Sequence, residues 1–158
     1  MFREMRRMKQ ALTPEEIEEV LTKETRGVLS MYGTDGYPYG IPMNHYYDAE
    51  SRSLYFHGSG IGHKAEAIRK DPKVSYCVFG QEFCKEGDWA RYVKSVVVFG
   101  SVELIEDSEE IAKWSRRLCS KFPCPADYAE EELRTNGNRV RFFAIRIEHA
   151  TGKLVHEA

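Results

Sequence analysis

Residues 54–72 read LYFHGSGIGHKAEAIRKDP: an apolar run from Leu54, a loop with glycines at 58, 60 and 62, and His63-Lys64 opening a segment that Asp71-Pro72 closes. The order is strand, glycine-rich loop, helix. Glycines let successive backbone N–H groups turn toward one point, and the start of the next helix adds its positive end, so this order can build a phosphate cradle. Ala65, Ala67 and Ile68 supply an apolar side, and proline disfavours helix in the residue before it, which stops the helix after about two turns. His63 and Lys64 stand in the first turn, where cations oppose the helix dipole at a cost of a few tenths to about 1 kcal/mol unless an anion compensates them. The same residues also serve as an ordinary connection with solvated charges. The loop fits neither GxxxxGK[ST] nor GxGxxG, so any phosphate ligand belongs to another class.

Upstream, Thr13-Pro14-Glu15-Glu16 is a capping box with proline at the first helical position, and Ile17, Val20 and Leu21 give that helix one apolar face. Residues 28–32 read as a strand, 33–36 as a turn and 39–47 as its return; after a polar turn the run 54–57 pairs back, which predicts a three-stranded antiparallel meander. Downstream, residues 74–79 and 92–105 read as strands, with Gly100 marking a bulge or bend in the second. Asp107-Ser108 caps a helix to about Leu118, Glu130-Glu131-Glu132 reads as a solvated helix face, and residues 139–148 close the chain as a strand with one buried side. About six antiparallel strands with helices in the connections bury their edges best by closing into a barrel. The fold class expected is mainly β, an antiparallel barrel with inserted helices, as one domain over residues 1–158 with a short N-terminal helical extension.

The 158 residues carry 23 Lys+Arg against 25 Asp+Glu, a net charge of −2, so global charge gives no reason to expect nucleic-acid binding. Arg3, Arg6, Arg7 and Lys9 precede no apolar core, and no run is long enough to span a membrane, so the expected location is cytoplasmic. Cys77 and Cys84 are too widely spaced for a zinc knuckle, and Cys119 and Cys124 lack a matching second pair; reduced structural thiols and no metal are expected, with a redox pair at Cys119 and Cys124, which bracket Ser120-Lys121-Phe122-Pro123 after a helix, as the alternative.

Beyond these local readings, Arg26-Gly27-Val28-Leu29-Ser30, Gly40-Ile41-Pro42-Met43-Asn44-His45-Tyr46, Leu54-Tyr55-Phe56-His57 with Gly62-His63-Lys64, Val93-Lys94-Ser95-Val96 and Thr151-Gly152-Lys153 follow one another in a recognisable order. That order resembles the flavin mononucleotide-binding split barrel of the pyridoxamine 5′-phosphate oxidase-like superfamily, in its nitroimidazole-resistance branch. The resemblance implies an antiparallel split barrel, a homodimer, and FMN in the cleft between subunits. It implies that Pro42, Met43 and Asn44 lie beside the isoalloxazine edge, that His57, Gly58 and Ser59 approach the phosphate, and that Lys64 is the leading phosphate cation. His63 becomes a second phosphate contact, Ser95 a hydroxyl donor and Lys153 a further cation at the cofactor. The chain lacks a basic motif for gripping a substrate phosphate, so oxidation of pyridoxamine phosphate is not expected.

The activity implied is an FMN-dependent oxidoreductase reducing a nitroaromatic or similar small electrophile, with His45 or His63 as proton donor. His45 also reads as a hydrogen-bonded histidine without catalytic part. Two rivals share the barrel: a non-enzymatic flavin-binding or sensing module, and a haem-binding protein with His45, His57 or His63 as axial ligand.

Overall fold

The computed structural model describes residues 1–137 and 139–156. After a short 3₁₀ turn (Met8–Gln10) the chain forms α1 (Pro14–Lys23), β1 (Arg26–Tyr32), β2 (Pro38–Asn44), β3 (Tyr46–Asp48), β4 (Ser53–Ser59), α2 (His63–Lys70), β5 (Lys73–Phe79), β6 (Phe83–Cys84), β7 (Arg91–Ile105), α3 (Ser108–Cys119), α4 (Tyr128–Asn136) and β8 (Val140–His156). The start signals act as read: Thr13 Oγ1 accepts from the Glu16 amide at 3.3 Å while the Glu16 carboxylate accepts from the Thr13 amide at 3.0 Å. The Asp107 carboxylate accepts from the amides of Glu109 and Glu110 at 3.1 and 3.0 Å.

The strands pair antiparallel in the order β2-β1-β5-β7-β8-β4-β3, with β6 on β7. The meander expected from residues 28–57 is not what forms. The run 39–47 breaks at His45: β2 pairs with β1 at one edge of the sheet, while β3 pairs with β4 at the other. Two edge strands consecutive in the chain and one residue apart force the sheet to curl until its edges face each other. The result is a mainly antiparallel β barrel left open along a seam between β2 and the end of β4 that the short β3 leaves unpaired.

The curl is completed at Gly100, where the β7–β8 register shifts between Phe99 and Gly100 and a Cβ would run into the Arg146 carbonyl. β8 continues to His156 instead of ending near residue 148. The bulge resets its inside–outside alternation, and Gly152 lets Leu12 and Ile17 pack against the strand so closely that a Cβ there would meet Leu12 at 2.8 Å.

Inside the barrel Leu29, Phe56, Tyr76, Val96, Phe143 and Ile145 form the main core, joined by Val20 and Leu21 of α1. A second core lies outside the sheet, where α3 covers β4 and β8: Trp114 stacks on Tyr55 with ring centroids 3.4 Å apart, and Ile111 and Leu118 pack with Phe142 and Ala144. The four cysteines are free thiols. Among the described residues no helix is long and apolar enough to cross a membrane.

His45 is completely buried where the chain crosses the seam. Its Nε2–H donates to the Leu21 carbonyl at 2.8 Å, and Nδ1 lies 3.0 Å from the Tyr76 hydroxyl, itself 2.8 Å from the Met43 carbonyl. With a neutral ring, the single Tyr76 proton is shared between Nδ1 and that carbonyl. Burial, with the Lys121 charge adding to it, pushes the His45 pKa down to about 4. A neutral histidine with both nitrogens engaged and no path to solvent does not hand protons to a substrate, so the proton-donor expectation for His45 is replaced by a structural role. It rivets α1, β2 and β5 together at the seam.

Candidate functional site

The seam is framed by the end of β2, the end of β4 and the first turn of α2. Gly62 caps α2 at φ +93°, a left-handed conformation suited to glycine, and no side chain accepts from the first-turn amides. The loop is held from two sides: Arg69 donates to the Gly60 carbonyl at 2.7 Å and Ser59 Oγ accepts from the Ile61 amide at 3.2 Å.

Lys64 turns back from α2 into this seam. Its ammonium lies 4.6 Å from the Phe143 ring centroid and 3.9 Å from Met43 Sδ, and it pairs with no carboxylate among the described residues. A ring face and a thioether do not neutralise a cation, and burial lowers the Lys64 pKa. The site holds positive charge in want of an anion. Gly58 makes the room, because a Cβ there would overlap Lys64 Nζ and stand 3.2 Å from Phe143. Gly58→Ala is expected to fold normally, since a flexible side chain can yield, but to displace the ammonium and weaken FMN binding by about tenfold in a fluorescence titration.

On the opposite face of β4, a cavity of about 600 Å³ opens beneath α3 and α4, lined by Asn44, His57, Gly58 and Ser59 on the barrel side and by Leu118, Phe122, Leu133 and Phe142 among the apolar walls. It falls in the size range of cofactor and small-molecule sites, roughly 300–1,000 Å³. Cys119, Cys124 and Glu132 also face it. His57 sits at its mouth without a hydrogen-bond partner among the described residues; desolvation first, and the nearby Lys64 charge second, lower its pKa. Asn44 Oδ1 accepts from Arg26 Nε at 2.9 Å, which fixes the amide at the cavity edge.

The structure therefore gathers Met43, Asn44, His57, Gly58, Ser59 and Lys64 around one seam. His63 stands beside them but faces the β1–β2 hairpin: Nε2 accepts from the Thr34 amide at 3.3 Å and the ring stacks on Tyr39 at 4.3 Å. Its remaining proton is on Nδ1 when the ring is neutral. Ser95 and Lys153 are register partners, with Ser95 Oγ 3.5 Å from the Lys153 carbonyl. Lys153 lies at the far end of β8 from Arg141, the partner of Gly58, which is roughly 40 Å of strand at about 3.3 Å per residue. One chain does not bring Ser95 and Lys153 to its own Lys64. Pro42 sits on the outward face of the sheet, heading the cross-strand row Pro42, Val28, Cys77, Val97, Thr151.

The wall under α3 and α4 is absent from the sequence-based site. Leu118, Phe122 and Leu133 look like ordinary helix and loop apolar residues, and only the Cys119…Cys124 spacing drew attention to the region.

The sequence profile of the family described as pyridoxamine 5′-phosphate oxidase matches residues 13–154. Among solved structures, a candidate 5-nitroimidazole antibiotic resistance protein from Bacteroides thetaiotaomicron is 21% identical with a TM-score of 0.76, over 92% of this chain and 87% of that one. An FAD-binding protein from Mesorhizobium loti is 29% identical with a TM-score of 0.65, over 92% and 97% of the two chains. An FAD- and haem-binding protein from Mycobacterium smegmatis is 18% identical with a TM-score of 0.69, over 92% and 73%. A comparison with curated protein sequences finds no match.

Proposed function

The chain belongs to the pyridoxamine 5′-phosphate oxidase family, and from that premise we propose that it binds a flavin, with FMN the smallest sufficient form, and uses it to reduce a small electrophile. The observation that carries this reading is Lys64: a half-buried ammonium against Phe143 and Met43 with no described counter-charge, at a glycine where a Cβ would fill its place. The phosphate dianion pairs with Lys64 and takes hydrogen bonds from the uncapped amides of α2, with His63 as a further donor through Nδ1. Met43 and Asn44 border the ring, and the apolar walls under α3 and α4 exclude water from the reacting face.

Bound reduced flavin supplies the hydride or electrons; the chain positions substrate against it. A nitroaromatic of the 5-nitroimidazole type is the first substrate to test, because a structure of this fold carries that association. The reading includes a homodimer. The outward face of β2-β1-β5-β7 presents the row from Pro42 to Val97 with exposed Tyr32, Phe79 and Phe99. A partner seated there would supply Ser95 and Lys153 to the other chain's cofactor. A cytoplasmic location accords with four free thiols.

A haem reading finds less support. Nε2 of both His45 and His63 is engaged, which leaves His57, of these three candidates, with neither nitrogen hydrogen-bonded to a described residue. The test is anaerobic turnover of the FMN-loaded protein with NADPH and a 5-nitroimidazole. Nitro reduction above that of free FMN is expected, whereas flavin bound without turnover favours the sensing module.

A further inference from the structure

The glycine loop has a second basic flank. Arg69 of α2 joins Arg139 and Arg141, some seventy residues later, around a cavity of about 510 Å³ against Ser59, Gly60 and Ile61. Glu106 is its one acidic wall among the described residues, so positive charge is in excess. Arg69 holds the Gly60 carbonyl from below. Arg141 Nε stands 3.7 Å from Glu106, and its stem lies against Gly60, where a Cβ would meet Cγ at 3.1 Å. Arg139 is exposed and forms no ion pair with a described residue.

Two contiguities tie this groove to the seam. Ser59 and Arg139 line both the groove and the cavity beneath α3 and α4. Gly58 pairs with Arg141 across the β4–β8 ladder, and Arg141 shares its face of β8 with Phe143, the ring under Lys64. Lys64 and Arg141 thus lie along one strip of sheet, over residues roughly 7 Å apart at about 3.3 Å per residue.

We infer that the arginine groove binds the second phosphate of a dinucleotide whose first phosphate is held at Lys64. The inference rests on the flavin reading for the place of the first phosphate. Planar guanidinium forks match phosphate oxygens, and the groove meets the site at Ser59, next to Gly58, while Leu118, Phe122 and Leu133 line the cavity alone, so a phosphate there continues the same ligand. The diphosphate chemistry is shared by a dinucleotide flavin and a nicotinamide dinucleotide, and the assay separates them.

Purified full-length protein is titrated with FMN, FAD and NADPH, followed by flavin or nicotinamide fluorescence, for the wild type, Lys64→Met, Arg139→Gln and the Arg139→Gln/Arg141→Gln double variant. The double variant is expected to weaken FAD or NADPH at least tenfold more than it weakens FMN, and the dinucleotide that suffers identifies the source. Glu106→Gln is expected to strengthen the same dinucleotide. If the double variant does not fold, Arg139→Gln decides, with a loss of about threefold or more expected. Equal losses for FMN and both dinucleotides, unchanged dinucleotide binding, or a wild type that binds neither dinucleotide overturns the inference. Lys64→Met leaving FMN affinity unchanged overturns the flavin reading instead, and leaves the groove to be judged on the dinucleotide arms.

Discussion

Lys64→Met is expected to abolish most FMN affinity and, in the same molecule, to raise the melting temperature of the ligand-free protein. The two effects have one cause. The ammonium is half-buried against Phe143 and Met43 without a described carboxylate, so the free fold bears a desolvated charge that nothing repays. Methionine keeps the methylene packing and removes that charge, as at other sites where function is held at the expense of stability. In the complex the same ammonium gains a dianion. A charge-assisted hydrogen bond contributes about 1.5–3 kcal/mol, so its loss weakens binding by roughly 10- to 100-fold. Thermal denaturation without ligand and a fluorescence titration with FMN check the two halves. A variant that lost affinity by melting the site would show a lower melting temperature, the opposite sign.

His45→Ala is expected to cost about 3–5 kcal/mol of folding free energy in urea unfolding. Three deficits coincide: a cavity at a fully buried position, a Leu21 carbonyl without its donor, and a Tyr76 hydroxyl without its nitrogen neighbour. The pH dependence follows with a definite sign. Above about pH 6.5, the ordinary value, His45 is neutral in both folded and unfolded chains, and its contribution is fully present. As pH falls, the unfolded chain takes up a proton that the fold resists down to about pH 4, so stability drops across that window by on the order of 3 kcal/mol. Below about pH 4 the loss levels off. His45→Gln, which keeps an amide donor but does not titrate, is expected to flatten this part of the profile while remaining folded at neutral pH.

Local chemistry was legible in the sequence wherever a single segment determines it. The Thr13–Glu16 box, the Asp107 cap, the Asp71-Pro72 stop and the bend at Gly100 stand where their residues placed them. The pairing of β2 was not legible, because nothing in Met43-Asn44-His45-Tyr46 says that the chain changes partners there. That choice depends on Tyr76 and Leu21, distant in sequence, which receive the His45 ring. The far half of β8 was read short, since Glu148-His149-Ala150-Thr151-Gly152 alternates poorly once the bulge has shifted its phase.

The site divides in the same way. Gly58 and Lys64 were legible in the glycine loop itself, whereas Met43, Asn44, His57 and Ser59 entered through the resemblance, and the fold brings all six to the seam. Ser95 and Lys153 reached the expected set through the resemblance alone, and the fold of one chain keeps them apart from Lys64. The walls under α3 and α4, and the gathering of Arg69 with Arg139 and Arg141, are products of tertiary packing; no spacing along the chain announces them.

The most direct measurement compares FMN with riboflavin, its counterpart without phosphate, by fluorescence titration of the wild type and Lys64→Met. The wild type is expected to prefer FMN by roughly 10- to 100-fold, and Lys64→Met to narrow this preference to a few-fold by weakening FMN alone. Equal affinity of the wild type for the two ligands, or a preference that survives the loss of Lys64, would contradict the phosphate site in the seam.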